Sequence, residues 1–182
     1  MASTDWFTAA RFGMFVHFGI YSGAARHEWV QTNERLTDEN YRQYFENFDP
    51  DLFDAAAVAR TAKHAGMQYA VLTTKHHDGF ALWHTALSDF SAQVACGRDL
   101  VGEFVAALRA EGLRVGLYFS LIDWHHPDFT VDWNHPRRDD ANAAALNEGR
   151  DMVRYREFMH GQLRELLTGY GQIDYLFFDF TF

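Results

Sequence analysis

A chain of 182 residues with 48% hydrophobic and 23% charged residues has the length and balance of one folded globular domain, not of a disordered segment. A formal net charge of −9, without a Lys/Arg cluster, argues against a nucleic-acid partner. Cys96 is the single cysteine, which excludes an internal disulfide and any CxxC metal or redox motif.

Met1–Trp6 has neither a basic n-region nor an apolar h-region, so no signal peptide is expected. No apolar run approaches the ~20 residues that span a bilayer. The expectation is a cytoplasmic chain with no membrane partner.

The first apolar run, Phe12–His17, is nearly continuous rather than alternating, as in a parallel strand covered on both faces. Thr37 is placed to cap a short helix over Asp38–Asn47, and Asp49-Pro50 to open another over Asp51–Ala65, stopped by Gly66. Gln68–Thr74 reads as the second strand. Asp99 caps a helix over Leu100–Glu111 with Gly112 as its stop, and Arg114–Ser120 is the third strand. A long helix starts at Asn147 or Glu148 and runs to Thr168. Its apolar stripe is Met152, Tyr155, Met159, Leu163 and Leu166 or Leu167. Asp174–Phe178 is the fourth strand. The order β-α-α-β-α-β-α-β predicts an α/β fold with parallel strands and right-handed crossovers. Two architectures satisfy it, an open doubly wound sheet and a (β/α)8 TIM-like barrel. About four β/α units would make only the N-terminal portion of a ~250-residue barrel.

The polar residues gather at the C-terminal ends of these strands, where parallel barrels build active sites. Strand one ends in His17. Strand two ends in Lys75-His76-His77-Asp78. Strand three ends in Tyr118-Phe119-Ser120 and continues to Asp123-Trp124-His125-His126. Strand four ends in Asp179. A lone histidine at a strand end is ordinarily a hydrogen-bonded loop residue, and most Trp and Tyr residues are core. Collecting His or Asp from three of four strands at one edge points instead to a site. Asp179 directly follows Tyr-Leu-Phe-Phe, where an unpartnered carboxylate would be costly; capping a following helix is its bland alternative.

Neither GxGxxG, GxxxxGK[ST] nor GxSxG is present, so the dinucleotide, P-loop and serine-hydrolase readings fail. A metal-dependent hydrolase barrel remains a rival, because His17, His76, His77 and His125 could converge on zinc. Against it, strand one carries a lone His rather than an HxH pair.

The motifs then carry a resemblance. Arg11-Phe-Gly-Met-Phe-Val-His17-Phe-Gly-Ile-Tyr-Ser22 resembles the first-strand motif of the α-L-fucosidases of glycoside hydrolase family 29. His27-Glu28-Trp29 is similar to the Glu-Trp that follows it. Val71-Leu-Thr-Thr-Lys-His76-His77-Asp-Gly-Phe80 is similar to the family's His-His motif, with Leu82-Trp83 behind it. Arg98–Gly102, Gly116–Trp124 and Gly171–Phe180 also match in the family's order. The resemblance covers about Trp6 to Phe182.

It implies a retaining glycosidase that releases terminal α-L-fucose from a fucosylated oligosaccharide or glycoconjugate, without metal or cofactor. It implies Asp179 as nucleophile. It also implies that His17, Glu28, Trp29, His76, His77, Tyr118 and Trp124 grip the sugar. Phe177 and Phe178 stand where the family commonly has Trp, and Phe180 where some members have Gly, which bears on aglycone preference. Retaining enzymes need a second carboxyl about 5–5.5 Å from the nucleophile. Much of the family supplies it downstream of the nucleophile; Glu28 is the candidate within this chain. Residues 1–182 are thus expected to form a single partial catalytic domain, without the second barrel half or the C-terminal β-sandwich. Half a barrel exposes two strand edges and an inner face, which favours a homo-oligomer and little activity of the chain alone. A non-catalytic fucose-binding module is the third reading.

Overall fold

The computed structural model describes residues 4–180. The N-terminal helix α1 (Asp5–Ala10) leads into β1 (Gly13–Val16). A 3-10 turn (Ile20–Ala24) precedes α2 (Val30–Asn33), α3 (Asp38–Glu46), α4 (Ala55–His64) and β2 (Tyr69–Lys75). Then come α5 (Ala92–Cys96), α6 (Leu100–Ala110) and β3 (Arg114–Ser120). A 3-10 turn (Ala145–Asn147), α7 (Met152–Gly169) and β4 (Tyr175–Asp179) complete the order.

The four strands form one parallel sheet in the order β1-β2-β3-β4, so each crossover joins neighbouring strands. The α/β expectation holds. Sequential strand order without reversal is barrel-like rather than doubly wound, because a doubly wound sheet reverses at a switch point.

The outward face of the sheet packs against helices. Ala70, Leu72, Val115, Leu117 and Phe119 share one buried cluster with Ala59 and Ala62 of α4 and with Leu100, Val101, Phe104, Val105 and Leu108 of α6. Fully burying each large aliphatic or aromatic side chain there contributes about 1.5–3 kcal/mol. The inward face is aromatic. Phe177 stacks on Tyr118 with centroids 5.8 Å apart, and Phe15 meets Phe177 edge-on at 5.3 Å. Lower down, Phe7 of α1 stacks on Tyr175 at 4.9 Å and so closes the N-terminal end of the inner face.

Helix caps follow the sequence in two cases and shift in two. Thr37 accepts a hydrogen bond from Asn40 N–H and Asp99 from Gly102 N–H, each cap worth ~1 kcal/mol. The helix expected from Asp51 starts instead at Ala55, capped by Asp54. The cause is distant in sequence: the Arg98 guanidinium donates to the carbonyls of Pro50 and Phe53 and holds the intervening residues as a turn. The helix expected from Asn147 or Glu148 begins at Met152, capped by Asp151. Asn147 is occupied elsewhere, accepting from Val131 N–H and donating to Val131 O.

The β2–β3 pairing shifts register between Thr73 and Lys75. Such a bulge re-aims side chains. Thr73 Oγ1 faces β1 and accepts from Phe18 N–H, whereas Lys75 turns to the outer side, over the ring of Phe119. The alternation is reset, and His76, next in the chain, reaches the inner side, where its ring stacks on Tyr118 at 5.4 Å.

Candidate active site

The site is built where β2, β3 and β4 end. Asp179 is the last residue of β4, opposite Ser120 in the register. Its Oδ2 accepts a hydrogen bond from the Tyr118 hydroxyl at 2.7 Å, and its Oδ1 accepts from Phe180 N–H at 3.0 Å. That second bond forms because Phe180 adopts φ 62°, a left-handed conformation rare for a bulky residue. Strain of this kind costs of order 1–3 kcal/mol and gathers at functional sites.

His77 Nε2 stands 3.6 Å from Asp179 Oδ2, too far for a hydrogen bond but within ion-pair range. The other ring nitrogen, Nδ1, lies 2.6 Å from Ser120 Oγ. The His77 carbonyl accepts from Trp124 N–H at 2.8 Å, tying the loop after β2 to the loop after β3. Burial pushes the His77 imidazolium down to about 4, against the opposing pull of Asp179. Burial also holds His76 well below the ordinary histidine range, with His77 and His17 adding to the effect. Both rings are therefore neutral near pH 7. Burial, then the bond to Asp179, raises the Tyr118 phenol, so it remains a donor.

Aromatic rings wall this edge. Trp29 meets His77 edge-on at 4.6 Å, and Trp124 lies 6.0 Å from Trp29 and 5.4 Å from His77. Phe180 lies edge-on to His77 at 4.9 Å. The exposed His17 ring is 5.7 Å from His76 and 6.0 Å from Tyr118. Three buried polar atoms here have no protein partner: His76 Nδ1, His77 Nε2 and Trp124 Nε1. Buried polar groups are rarely left so, and such atoms fit a polar ligand.

His17, Trp29, His76, His77, Tyr118, Trp124 and Asp179 thus come together. Glu28 sits at the margin. Its carboxylate is 3.6 Å from His27 Nδ1 and close enough to the Tyr21 hydroxyl to act on it electrostatically; Tyr21 in turn lies edge-on to His76 at 5.3 Å. His27 carries φ 119°, so the Glu28-Trp29 pair enters from a strained turn. His125 does not join the other histidines: it is exposed and stacks on Phe90 at 4.0 Å. Among the described residues, no group of three or more His, Cys, Asp or Glu is arranged to hold a metal ion.

Sequence reasoning missed the support behind the histidines. Lys75 and Asp123 form an ion pair of 2.8 Å, with side chains 0% and 3% exposed. Asp123 Oδ1 also accepts from His126 N–H, and it fills the space where a Cβ on Gly79 would lie, 2.3 Å from it. Gly79 has φ +82°, so only glycine suits that turn on both counts. Asp78 is buried, accepts from Tyr41 hydroxyl and Phe80 N–H, and is raised by burial to about 6. A cavity of about 540 Å³ borders Asp78, Tyr41, Phe90 and His125; Asp179 does not line it.

Asp179, held by Tyr118 and faced by His77 beside Trp29 and Trp124, lies at the C-terminal edge of a parallel β/α unit, where barrel enzymes build their active sites. A family model described as alpha-L-fucosidase matches residues 1–182, and the chain belongs to that family. It is 39% identical to mouse tissue alpha-L-fucosidase over 146 residues, 70% of this chain and 32% of that protein. It is 30% identical to alpha-L-fucosidase of Dictyostelium discoideum, over 91% of this chain and 39% of the other. Among solved structures, alpha-L-fucosidase isoenzyme 1 from Paenibacillus thiaminolyticus superposes with a TM-score of 0.93 at 52% identity. The match covers 98% of this chain and 43% of that one. An alpha-L-fucosidase from Lactobacillus casei, solved with alpha-L-fucose product, superposes with a TM-score of 0.78 at 30% identity, over 97% and 61% of the two chains. This chain spans less than half the length of the two curated relatives. The catalytic domain of these fucosidases is a TIM barrel, of which the four strands form part.

Proposed function

We propose that this chain carries the nucleophile half of a retaining α-L-fucosidase site, acting on terminal α-L-fucosyl groups of glycans or glycoconjugates. The observation that carries the reading is Asp179, oriented by Tyr118 and Phe180 N–H and faced by His77, beside three unpartnered buried polar atoms. Sugars are ligands of this kind: hydroxyls to satisfy stranded nitrogens, and a C–H face to lie on indole rings.

In the proposed course, an Asp179 oxygen attacks the anomeric carbon. The bond to the leaving oxygen breaks as that oxygen takes a proton from a second carboxyl group. The resulting fucosyl ester is then attacked by water at the same carbon, which frees the carboxylate and releases fucose with retained configuration. Neutral His76 and His77 bind hydroxyls without competing for the nucleophile's charge. We place Glu28 in sugar binding, with acid/base work as its alternative role.

Labelling with a 2-deoxy-2-fluoro-α-L-fucosyl fluoride tests the assignment. Fluoride leaves without help from a general acid, so the first step needs only the nucleophile. The expected product is an ester on Asp179, located by peptide mass spectrometry and absent in Asp179→Asn. Modification at Glu28, or none, overturns the reading.

A further inference from the structure

A second concavity lies beside the loops that carry His77 and Trp124. Its volume is about 540 Å³, within the range of about 300–1,000 Å³ usual for small-molecule sites. Asp179, His77, Tyr118 and Trp124 do not line it. The next residue of each loop does: Asp78 follows His77, and His125 follows Trp124. The bond from Trp124 N–H to the His77 carbonyl, 2.8 Å, ties the two loops together.

Part of the lining is flat and aromatic. His125 stacks on Phe90 with centroids 4.0 Å apart and planes 16° from parallel, and it is exposed. Phe45 and Phe80 pack against Phe90 at 5.1 and 5.4 Å and hold it in place. The polar part is rich in acceptors. Gln31 lines the cavity and is 2% exposed, yet its Oε1 has no partner among the described residues. The amide nitrogen is turned to Asp38, 3.5 Å away, which leaves the carbonyl oxygen for a donor from the cavity. Asp78 is buried in the wall with both oxygens in use, accepting from the Tyr41 hydroxyl and Phe80 N–H. Asp38 and Asp89 line the cavity from exposed positions, and Arg42 spends its Nε on Glu46.

These walls select their ligand. Carboxylates repel phosphates and acidic sugars. An apolar ligand would leave Gln31 Oε1 stranded, which buried acceptors rarely are. Among the described residues, no group of three or more His, Cys, Asp or Glu is arranged for a metal ion. An ammonium ion would want a bare buried charge, and the buried carboxylate, Asp78, is already doubly bonded. An uncharged sugar supplies what remains: hydroxyl donors for the acceptors and a C–H face for the ring stack.

We propose that this cavity is a second saccharide site, distinct from the one at Asp179. It takes one uncharged pyranose unit against the His125–Phe90 stack, with a hydroxyl donated to Gln31 Oε1. Its use for a further unit of the same fucosylated glycan rests on the fucosidase reading; the sugar chemistry of the cavity does not.

The test is titration of the 15N-labelled 182-residue chain with methyl β-D-galactoside, methyl β-D-glucoside and tetramethylammonium, read by 1H–15N spectra at pH 7. At least one glycoside is expected to move the Gln31 side-chain amide and the backbone signals of Asp78, Phe90 and His125. Phe180 should stay in place, and added L-fucose should not compete. Gln31→Leu should weaken this binding about fivefold, the worth of one neutral hydrogen bond. His125→Ala removes the stacking face at an exposed position and should weaken it too; it decides alone if Gln31→Leu does not fold. Shifts absent from the cavity, shifts only around Asp179, or full affinity in His125→Ala overturn the proposal. So does a response to tetramethylammonium alone, which would make the cavity a cation site. An α-L-fucosyl derivative of the glycoside that binds, added to Asp179→Asn to prevent turnover, separates the two sources of the sugar. Tighter binding than either monosaccharide assigns the unit to the same glycan, and equal binding to a separate one. Cavity shifts without fluoride labelling of Asp179 would sink the fucosidase reading and leave this site standing. Labelling without cavity shifts would do the reverse.

Discussion

The Tyr118 hydroxyl donates to Asp179 Oδ2 across two paired strands, β3 and β4, from two positions before the residue directly opposite the carboxylate. A diagonal contact of this length fixes the carboxylate without occupying its other oxygen. Tyr118→Phe removes the donor and leaves the ring stacks with His76 and Phe177 in place. A hydrogen bond to a charged group is worth about 1.5–3 kcal/mol, so labelling of Asp179 by the fluoro-fucosyl fluoride should slow at least about tenfold. An unchanged labelling rate would show that the phenol does not orient the proposed nucleophile.

Stability should fall as acid titrates the buried histidines. His77 is lowered from 6.5 to about 4, so below pH 6.5 the unfolded chain binds a proton that the folded one refuses. The loss grows as pH drops through that window and reaches on the order of 3 kcal/mol for this group alone. His76, His126 and His135 are lowered too and act in the same direction. Asp78, raised from 3.8 to about 6, opposes them: its penalty appears as pH rises across that range. Four histidines outweigh one carboxyl, so urea midpoints should drop from pH 7 to pH 4.5. His77→Gln should flatten the slope. A midpoint that climbs on acidification contradicts this account.

Lys75 and Asp123 should behave as a unit. Lys75→Met alone strands a buried carboxylate and is expected to cost about 3–5 kcal/mol in urea unfolding. The double change Lys75→Met, Asp123→Leu should recover much of that stability. If the double variant is less stable than the single one, the pair does more for this fold than cancel its own burial.

Glu28 in sugar binding predicts a different pattern from Glu28 as acid. Glu28→Gln should weaken L-fucose binding in calorimetry by about tenfold, the worth of one charge-assisted hydrogen bond. Unaltered affinity would remove it from the binding set and favour the acid/base role.

Much of the site was legible because a parallel strand ends where its apolar run ends. His17, Asp179 and the Tyr118–Ser120 stretch could be assigned to one edge from that fact alone. The caps at Thr37 and Asp99 were equally local. What failed was decided at a distance. Arg98 takes the carbonyls of Pro50 and Phe53, so the Asp49-Pro50 signal opens a turn rather than a helix. Asn147 is held by Val131 and cannot begin α7. His125 directly follows Trp124, yet it stacks on Phe90 while Trp124 stays beside His77. Nothing in the one-dimensional pattern separates those neighbours, and the Lys75–Asp123 pair, 48 positions apart, gave no local sign either.

The irregularity between Thr73 and Lys75 sorts adjacent basic residues into opposite compartments. Lysine goes to the helix-covered side with its aspartate, and imidazole goes to the inner face, against Tyr118. Were Thr74 paired in a regular ladder instead of being the extra residue, the phase of all that follows would reverse. An ammonium would then occupy the inner position and pair with Asp179, turning the proposed nucleophile into one half of an inert salt bridge.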